Sequence, residues 1–183
     1  MLKNKKDLIY VIVIVLLIGL CGQFYYTYHY KPSHEISVYY NQDHPLNQEI
    51  VDQIKDADKF VYFSAYTFTR QDIEDALLGA KYRGLTVIGL TDRDQYNQVD
   101  LQKKIIDELR SAGIPVYIQD HAGIMHTKVL VTDKAYASGS FNWTSAATNL
   151  NDEVLEVGHD ENIRKEYQDI LEEMFGKYKT VNK

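Results

Sequence analysis

The chain has 183 residues and a formal net charge of −6, with 45% hydrophobic and 25% charged residues, a composition typical of globular proteins. This length suffices for one domain and an appendage. The single cysteine, Cys21, lies in an apolar run near the N-terminus, so the domain has no disulfide, no thiolate nucleophile and no cysteine zinc site. The sequence shows no internal repeat and no low-complexity tract.

The appendage is an N-terminal segment in three parts. A basic stretch (residues 1–7) precedes an apolar run (residues 8–26), and a short polar and aromatic linker (residues 27–35) leads to the domain. The run just reaches the roughly 20 residues needed to cross a bilayer as a helix. Because three lysines precede the run, the N-terminus is predicted in the cytoplasm and the domain outside it, in a single-pass membrane protein. A cleaved signal peptide, which would release a secreted domain, stays open as the alternative.

Strand and helix signals alternate along residues 36–183. The predicted strands are 36–40, 59–66, 86–91, 114–119, 128–132, 135–138 and 153–157. The predicted helices start at Asp43 or His44 and continue through Ile54, then cover 69–82, 99–112 and 161–178. In the third helix, the predicted inner face is Leu101, Ile105, Ile106 and Leu109. This alternation predicts an α/β fold, with a mixed, largely parallel sheet flanked by helices on both faces and preceded by the transmembrane helix.

Polar loops follow several predicted strands. In α/β sheets ligands bind at the carboxyl ends of the strands, where this chain places residues 67–70, 92–96 and 120–125. Arg70 and Arg93 lie in these loops, and each is either a substrate contact or a solvated surface residue. The strand 128–132 has its polar residues at its start, so it is predicted to enter the sheet from this same edge.

Chemically useful side chains are densest between His126 and Thr144. Side chains alternate across a strand, so His126 and Lys128 point to one side, as do Ser140 and Asn142 if their segment is extended. An imidazole, a fixed cation and two small neutral donors are suited to binding a phosphate. A His-x-Lys pair alone is common by chance, and an isolated histidine at a strand start is more often structural than catalytic.

The longer pattern is more specific. His-x-Lys-x4-Asp followed by Gly-Ser-x-Asn resembles the HKD signature of the phospholipase D superfamily. The matching residues are His126, Lys128, Asp133, Gly139, Ser140 and Asn142, with the acidic Glu153 beyond them. Five residues separate Asp133 from Gly139, where about six are expected, so a hairpin turn within 134–138 is predicted to be shortened. The resemblance covers roughly residues 36–178.

The resemblance implies a role for each residue of the pattern. His126 is expected to attack phosphorus and form a covalent phosphohistidine, while Lys128 and Asn142, with Ser140 nearby, hold the phosphoryl oxygens. Glu153 is expected to accept the second ring N–H of His126 and so to fix its tautomer. Two further residues support the site: Gly139, and Asp133 as a turn former or as the partner of a basic group.

Neither a metal nor another cofactor is expected at this site. His121 precedes His126 with His-x4-His spacing and has Asp120 beside it, but no third good ligand is near in sequence. Trp143 is interpreted as a packing residue rather than as a platform for stacking bases.

The chain has one His-x-Lys motif, and its single histidine cannot both attack phosphorus and protonate the leaving oxygen. Single-motif members of the superfamily resemble half of the two-motif enzymes and pair into a homodimer, in which both motifs form one site. The substrate stays open. The favoured hypothesis is a nuclease acting on DNA or RNA, the alternative is a hydrolase of phospholipid headgroups, and the third is a non-catalytic, anchored nucleic-acid-binding module. From residue 31 onward 17 basic and 25 acidic side chains give no overall basic footprint, while the lack of a long apolar loop favours the nuclease.

Overall fold

The computed structural model of the chain describes residues 5–29 and 36–179, and the chain divides into two compact units, residues 1–33 and 34–183. The first unit contains one helix, α1 (Lys5–His29), of which Lys5–Tyr26 is long and apolar enough to cross a membrane. Length and composition alone support this, and a signal sequence would meet the same criteria. The predicted basic segment and linker lie partly outside the described residues.

The second unit is built on one seven-stranded sheet with the order β1-β7-β6-β5-β2-β3-β4. Its strands are β1 (Ile36–Tyr40), β2 (Phe60–Ala65), β3 (Thr86–Thr91), β4 (Val116–Ile118), β5 (Lys128–Thr132), β6 (Tyr136–Gly139) and β7 (Val154–Gly158). The predicted mixed sheet is confirmed, but its parallel part is smaller than expected. β2, β3 and β4 pair in parallel, whereas the other four pairings are antiparallel.

The lengths of the segments that connect the strands explain these strand directions. Parallel neighbours need a crossover of a dozen or more residues, which the helices between β2, β3 and β4 provide. β5 and β6 are joined by only residues 133–135, so this pair has to be antiparallel.

Helices cover both faces of the sheet, as predicted. They are α2 (Leu46–Asp56), α3 (Gln71–Tyr82), α4 (Arg93–Gln98), α5 (Asp100–Ser111), α6 (Ser145–Asn149) and α7 (Glu161–Lys179). The apolar residues of α2, α3 and α5 form one core with one face, and α7 packs on the other face of β2 to β5. The sequence missed α4 and α6 because α4 buries none of its residues and α6 buries Ala147 alone, so neither has an apolar stripe.

The inner face of α5 differs from the prediction at its first turn. Leu101 is 46% exposed, whereas the neighbouring Gln102 is fully buried. Hydrogen bonds to the loop after β2 explain the exchange, because they satisfy the amide of Gln102 in the interior. Gly113 ends this helix with a φ of +79°, a left-handed conformation that favours glycine.

A buried carboxyl group lies between α3 and α5. The side chain of Glu74 is fully buried, and its Oε2 accepts a hydrogen bond from Nε2 of Gln71 at 2.7 Å. Its Oε1 has no partner among the residues that the structure describes. Burial and the adjacent carboxyl group of Glu108 raise the pKa of Glu74 to about 7. A proton shared between Glu74 and Glu108 would satisfy the unpaired oxygen.

We expect Glu74→Gln to stabilise the protein above neutral pH. Folding raises the pKa of Glu74, so the stability linked to its protonation is complete below about 4.5 and is lost as the pH rises through about 7. Glutamine does not ionise, so the free energy of unfolding at pH 8 should increase by about 1–3 kcal/mol. Thermal unfolding of the detergent-solubilised chain at pH 5 and pH 8 measures the difference.

The matched control is Asp75→Asn, which removes an exposed carboxylate from the next position of the same helix. This variant should shift the midpoint little at either pH. An equal shift for Glu74→Gln at both pH values would contradict the shared proton.

Candidate active site

The site is assembled where β5 begins beside the end of β2. The two strands are antiparallel with Lys128 opposite Ala65, so β5 enters from the carboxyl edge of β2 and β3, as predicted. β6 ends at this same edge and β7 begins there, because the backbone N–H of Ser140 donates to the carbonyl of Val154 at 3.1 Å. The residues of the sequence pattern are thereby brought to one side of the sheet.

His126 and Lys128 lie together around the ring of Tyr66. His126 is exposed, and its imidazole meets the ring of Tyr66 edge to face with centroids 4.7 Å apart. Lys128 is only 7% exposed, and its Nζ lies 5.1 Å from the centre of the same ring and donates to the carbonyl of His126 at 2.8 Å. Burial lowers the pKa of Lys128, and the negative charge of Glu153 partly opposes this effect. The site therefore contains a partly desolvated cation next to an accessible imidazole.

Glu153 is engaged differently from the expectation. Its carboxylate accepts from Oγ of Ser140 at 2.5 Å and from Nδ2 of Asn151 at 3.1 Å, while its own backbone N–H donates to Oδ1 of Asn41 at 3.0 Å. Within the described parts of the chain, no hydrogen bond joins Glu153 to His126. In this single chain the charge of Glu153 acts on Lys128. The orienting contact with His126 stays a prediction, because each carboxylate oxygen can accept a further hydrogen bond.

Gly139 of the sequence pattern lies where the backbones of β6 and β7 approach each other closely. A Cβ atom at Gly139 would lie 2.2 Å from the carbonyl oxygen of Val154, so a larger residue would force β6 and β7 apart. Beyond it, Asn142 is half-buried, and its buried Oδ1 has no hydrogen-bond partner among residues 36–179. This oxygen is an acceptor and needs a donor, so only the amide nitrogen of Asn142 could hold a phosphoryl oxygen.

Trp143 holds the Asn142 segment against the loop after β2. Its indole is buried, with ring centroids 5.4 Å from Phe63 and 5.0 Å from Phe68. Its backbone N–H donates to the carbonyl of Thr67 at 3.0 Å, and its carbonyl accepts from the N–H of Thr69 at 2.8 Å. The predicted packing role matches this position, since a buried ring cannot stack on a base.

Asp133 lies at the opposite end of β5 from the site. Burial disfavours its charge, but hydrogen bonds from the backbone N–H groups of Lys59 and Asp58, each at 3.0 Å, lower its pKa. Its role is the structural one that was predicted, although its partners are backbone donors rather than a basic side chain.

The two loop arginines have different surroundings. Arg70 donates from Nε and Nη2 to Asp72 at 2.7 and 2.6 Å, and from Nη1 to Thr148 at 3.3 Å, which links α3 to α6. Arg93 donates to Asp94 at 3.2 Å and to the carbonyl of Asp120 at 3.4 Å, with its side chain 39% exposed. The guanidinium of Arg70 is thus bound to the protein, and Arg93 is the more accessible of the two for a substrate.

Three residues next to the site were not identified from the sequence. Asp92 is buried and caps α4 by accepting from the N–H groups of Asp94 and Gln95 at 2.9 Å each. Its Oδ2 accepts from the N–H of Met125 at 2.9 Å, which fixes the residue just before His126. Although burial opposes ionisation, these hydrogen bonds lower the pKa of Asp92.

An aspartate directly after an apolar strand and before a polar helix start is a capping signal that could have identified Asp92. The other two residues, Tyr66 and Gln102, have no such signal. Nothing in the spacing distinguishes Tyr66 among the 15 tyrosines of the chain.

Comparison with known proteins establishes the family. Residues 50–175 match the family model described as "Cardiolipin synthase, PLD-like domain", which is more than half of the chain. The chain therefore belongs to the phospholipase D superfamily, in agreement with the resemblance seen in its sequence pattern.

Named relatives include a phospholipase D and a cardiolipin hydrolase. The chain is 35% identical over 119 residues to a phospholipase D of Rickettsia conorii, which covers 64% of this chain and 58% of that protein. It is 33% identical over 123 residues to a mitochondrial cardiolipin hydrolase of Xenopus tropicalis, covering 67% of this chain and 57% of that protein. The chain thus spans less than two thirds of the length of these relatives.

Solved structures share the fold. Nuc, a phospholipase D family member from Salmonella typhimurium, superposes with a TM-score of 0.72 at 25% identity, covering 78% of this chain and 94% of that one. NucT from Helicobacter pylori gives a TM-score of 0.70 at 24% identity and covers 78% and 96% of the two chains.

Proposed function

We propose that the protein is a metal-independent phosphodiesterase, and that it is a nuclease cleaving DNA or RNA through a covalent phosphohistidine. The observation that carries the proposal is the placement of Lys128, a buried cation, between His126, Tyr66 and Glu153 at the carboxyl edge of the sheet. A fixed positive charge beside an accessible imidazole can stabilise phosphoryl oxygens while a ring nitrogen attacks.

The proposed reaction has two displacements at phosphorus. In the first, a ring nitrogen of His126 forms a bond to phosphorus, the bond to the leaving oxygen breaks, and that oxygen takes up a proton. In the second, water attacks the phosphohistidine, releases a phosphomonoester and returns His126 to its free form. Lys128 and Asn142 hold the phosphoryl oxygens during both steps, so the charge that develops is met by protein donors. Ser140, expected to join them, donates its one hydroxyl proton to Glu153 instead.

The leaving oxygen needs a donor, and His126 cannot be nucleophile and acid at the same moment. We therefore place a second copy of His126 opposite the first, in a homodimer with one shared site. An uncovered surface supports this part of the proposal. On the face of the sheet that α7 shares, Ile36, Val38 and Val154 are 43%, 68% and 47% exposed.

The helix α7 carries a complementary surface. Ile163 and Ile170 form a short apolar stripe at helical spacing, whereas Tyr167 and Met174 pack on the domain's own core. Ile163 and Ile170 are 37% and 51% exposed. In a twofold dimer, this stripe would pack on the exposed strand residues of the second copy, and the stripe of the second copy would pack on the strand residues of the first. Both apolar surfaces would then be buried.

Phospholipid is the second candidate substrate. Relatives named phospholipase D and cardiolipin hydrolase favour it, and so do two exposed apolar residues in loops on the site side of the sheet. Ile124, two residues before His126, is 54% exposed, and Leu150, three residues before Glu153, is 80% exposed. A binding module without catalysis is the third candidate, and the retained His126 and Lys128 argue against it.

A substrate panel tests the proposed function. Detergent-solubilised protein is offered plasmid DNA, single-stranded DNA, RNA and phosphatidylcholine or cardiolipin vesicles, each with excess EDTA. We expect cleavage of nucleic acid without lipid turnover. Lipid turnover alone would support the second candidate and binding without cleavage the third, while activity that needs an added divalent ion would contradict the proposed chemistry.

Variants assign the roles within this assay. His126→Ala should abolish cleavage, because it removes nucleophile and acid together. Lys128→Ala and Asn142→Ala should each lower the rate on the order of 10²–10³-fold, as for a lost donor to a developing oxyanion. Lys104→Ala, which removes an exposed lysine on α5, is the matched control and should leave the rate unchanged.

Mixing tests the shared site. Wild-type and His126→Asn chains that exchange in equal amounts should give about a quarter of dimers with two histidines and about half with one. Activity per wild-type chain should then fall to about half of the unmixed value. Mixing with His159→Asn, a change at an exposed histidine outside the site, should cause no loss. With exchange verified, full activity in the His126→Asn mixture would show that each chain is complete.

We also propose that α1 anchors the protein in a membrane, with the catalytic domain outside the cytoplasm. The length and apolar character of Lys5–Tyr26 support the anchor, and the lysines at its start support the orientation. Protease added to intact cells should degrade the domain, and carbonate washing should leave the protein in the membrane fraction. A shortened chain in the medium would instead identify a cleaved signal peptide.

A further inference from the structure

We propose that Tyr66 is a positioning residue that orients His126 and Lys128, and that the buried Gln102 holds Tyr66 in place. The inference rests on the proposed phosphodiesterase function of the same site. Tyr66 directly follows the last residue of β2 and faces the first residues of the β5 segment. Its ring contacts both members of the His-x-Lys pair, at 4.7 Å from the imidazole centroid and 5.1 Å from Nζ of Lys128.

Among the described residues, the imidazole of His126 contacts the ring of Tyr66 and makes no hydrogen bond to Glu153. The His126 ring is exposed, and the described part of the chain gives it no side-chain hydrogen bond. The edge-to-face contact with Tyr66, at an interplanar angle of 65°, is therefore the interaction that limits rotation of this imidazole. The same ring faces the ammonium of Lys128, and a cation over an aromatic ring is stabilised where water has been excluded.

Gln102 fixes the backbone of Tyr66 from inside the domain. Its Oε1 accepts from the N–H of Phe68 at 2.8 Å, and its Nε2 donates to the carbonyl of Tyr66 at 3.1 Å. Nε2 also donates to Oγ1 of Thr91 at 2.8 Å, which ties the segment to β3. An amide that is fully buried and bonded at both ends defines one position for residues 66–68.

A second glutamine fixes the ring. Gln95 in α4 donates from Nε2 to the hydroxyl of Tyr66 at 3.2 Å and accepts from Oγ1 of Thr67 at 3.0 Å. The Tyr66 ring is thus held at its backbone by Gln102 and at its hydroxyl by Gln95. Asp92 caps the helix that carries Gln95, so the loop after β3 also contributes to the position of Tyr66.

Packing alone does not explain this arrangement. Tyr66 is half-buried and belongs to neither of the two hydrophobic clusters of the domain, whereas most of the sheet's other aromatic residues do. Two glutamines each donate one side-chain hydrogen bond to Tyr66, a residue that adds little to the core. The contacts of its ring are directed at His126 and Lys128.

The test compares Tyr66→Leu with Tyr66→Phe in the full-length protein, using bis(p-nitrophenyl) phosphate as substrate. Tyr66→Leu removes the ring and should lower kcat about 10–100-fold, because small displacements of reacting groups cost up to about this much. KM should change less than about threefold, since the phosphate donors remain. Tyr66→Phe keeps the ring and should retain kcat within about threefold of wild type.

Two further variants separate positioning from folding. Tyr117→Leu removes a half-buried tyrosine of β4 that packs on Phe175, so it should lower the melting temperature but leave kcat unchanged. Gln102→Met keeps the length of the side chain but loses the donor to the carbonyl of Tyr66. It should lower kcat in the same direction as Tyr66→Leu and by a smaller factor, with a melting curve confirming the fold.

Histidine ring resonances provide a readout that does not depend on catalysis. The His126 signals of protein labelled at histidine are assigned by their absence from His126→Asn. They should shift in Tyr66→Leu, because the aromatic ring beside them is gone, and should stay near the wild-type position in Tyr66→Phe. Unchanged His126 resonances in Tyr66→Leu, or an unchanged kcat in that variant, would overturn the inference. If wild type hydrolyses no phosphodiester, the proposed function fails, and the resonances still decide whether the ring of Tyr66 lies against His126.

Discussion

Backbone hydrogen bonds join β5 to β2 in antiparallel register, with Lys128 opposite Ala65, and the geometry of the site depends on this pairing. Loops after β2 and β3 emerge at the carboxyl edge of those strands, and β5 starts at that edge because its direction is reversed. Had β5 run parallel to β2, its first residue would lie at the other edge, roughly 17 Å away for five residues at about 3.3 Å each. His126 would then be separated from Tyr66, and the reversed strand is what brings them together.

Buried polar groups hold the loops around this edge. Burying an amide or a carboxylate costs free energy unless its hydrogen bonds are made inside the protein. Gln102 and Asp92 are both fully bonded at their buried ends, and each connects two or more segments near the site. Satisfied polar networks of this kind favour one arrangement over many, whereas apolar packing tolerates small shifts. Lys128 is the exception, since burial disfavours its charge and a bound phosphate would compensate it.

The sequence was most informative where local signals were strong. The bounds of β1, β3 and β5 agree with the prediction, because each is a short apolar run between turn residues. At α5 the apolar period placed Leu101 inside, but Gln102 is buried there because its partners come from distant segments. The same limit applies to the site: His126 and Lys128 follow from spacing, whereas the Tyr66 contact and the partners of Glu153 depend on which strands become neighbours.

The loop between β4 and β5 has a further consequence for how such a site can diversify. Gln119 at one end of this loop and Met125 at the other both donate to Oδ2 of Asp92, so one carboxylate oxygen closes the loop at its base. The segment 120–124 between these points is exposed. Lengthening a closed loop costs little, about 0.6 kcal/mol for each doubling. Insertions in this segment can therefore change what the protein recognises without moving His126, so chemistry and specificity are free to evolve separately here.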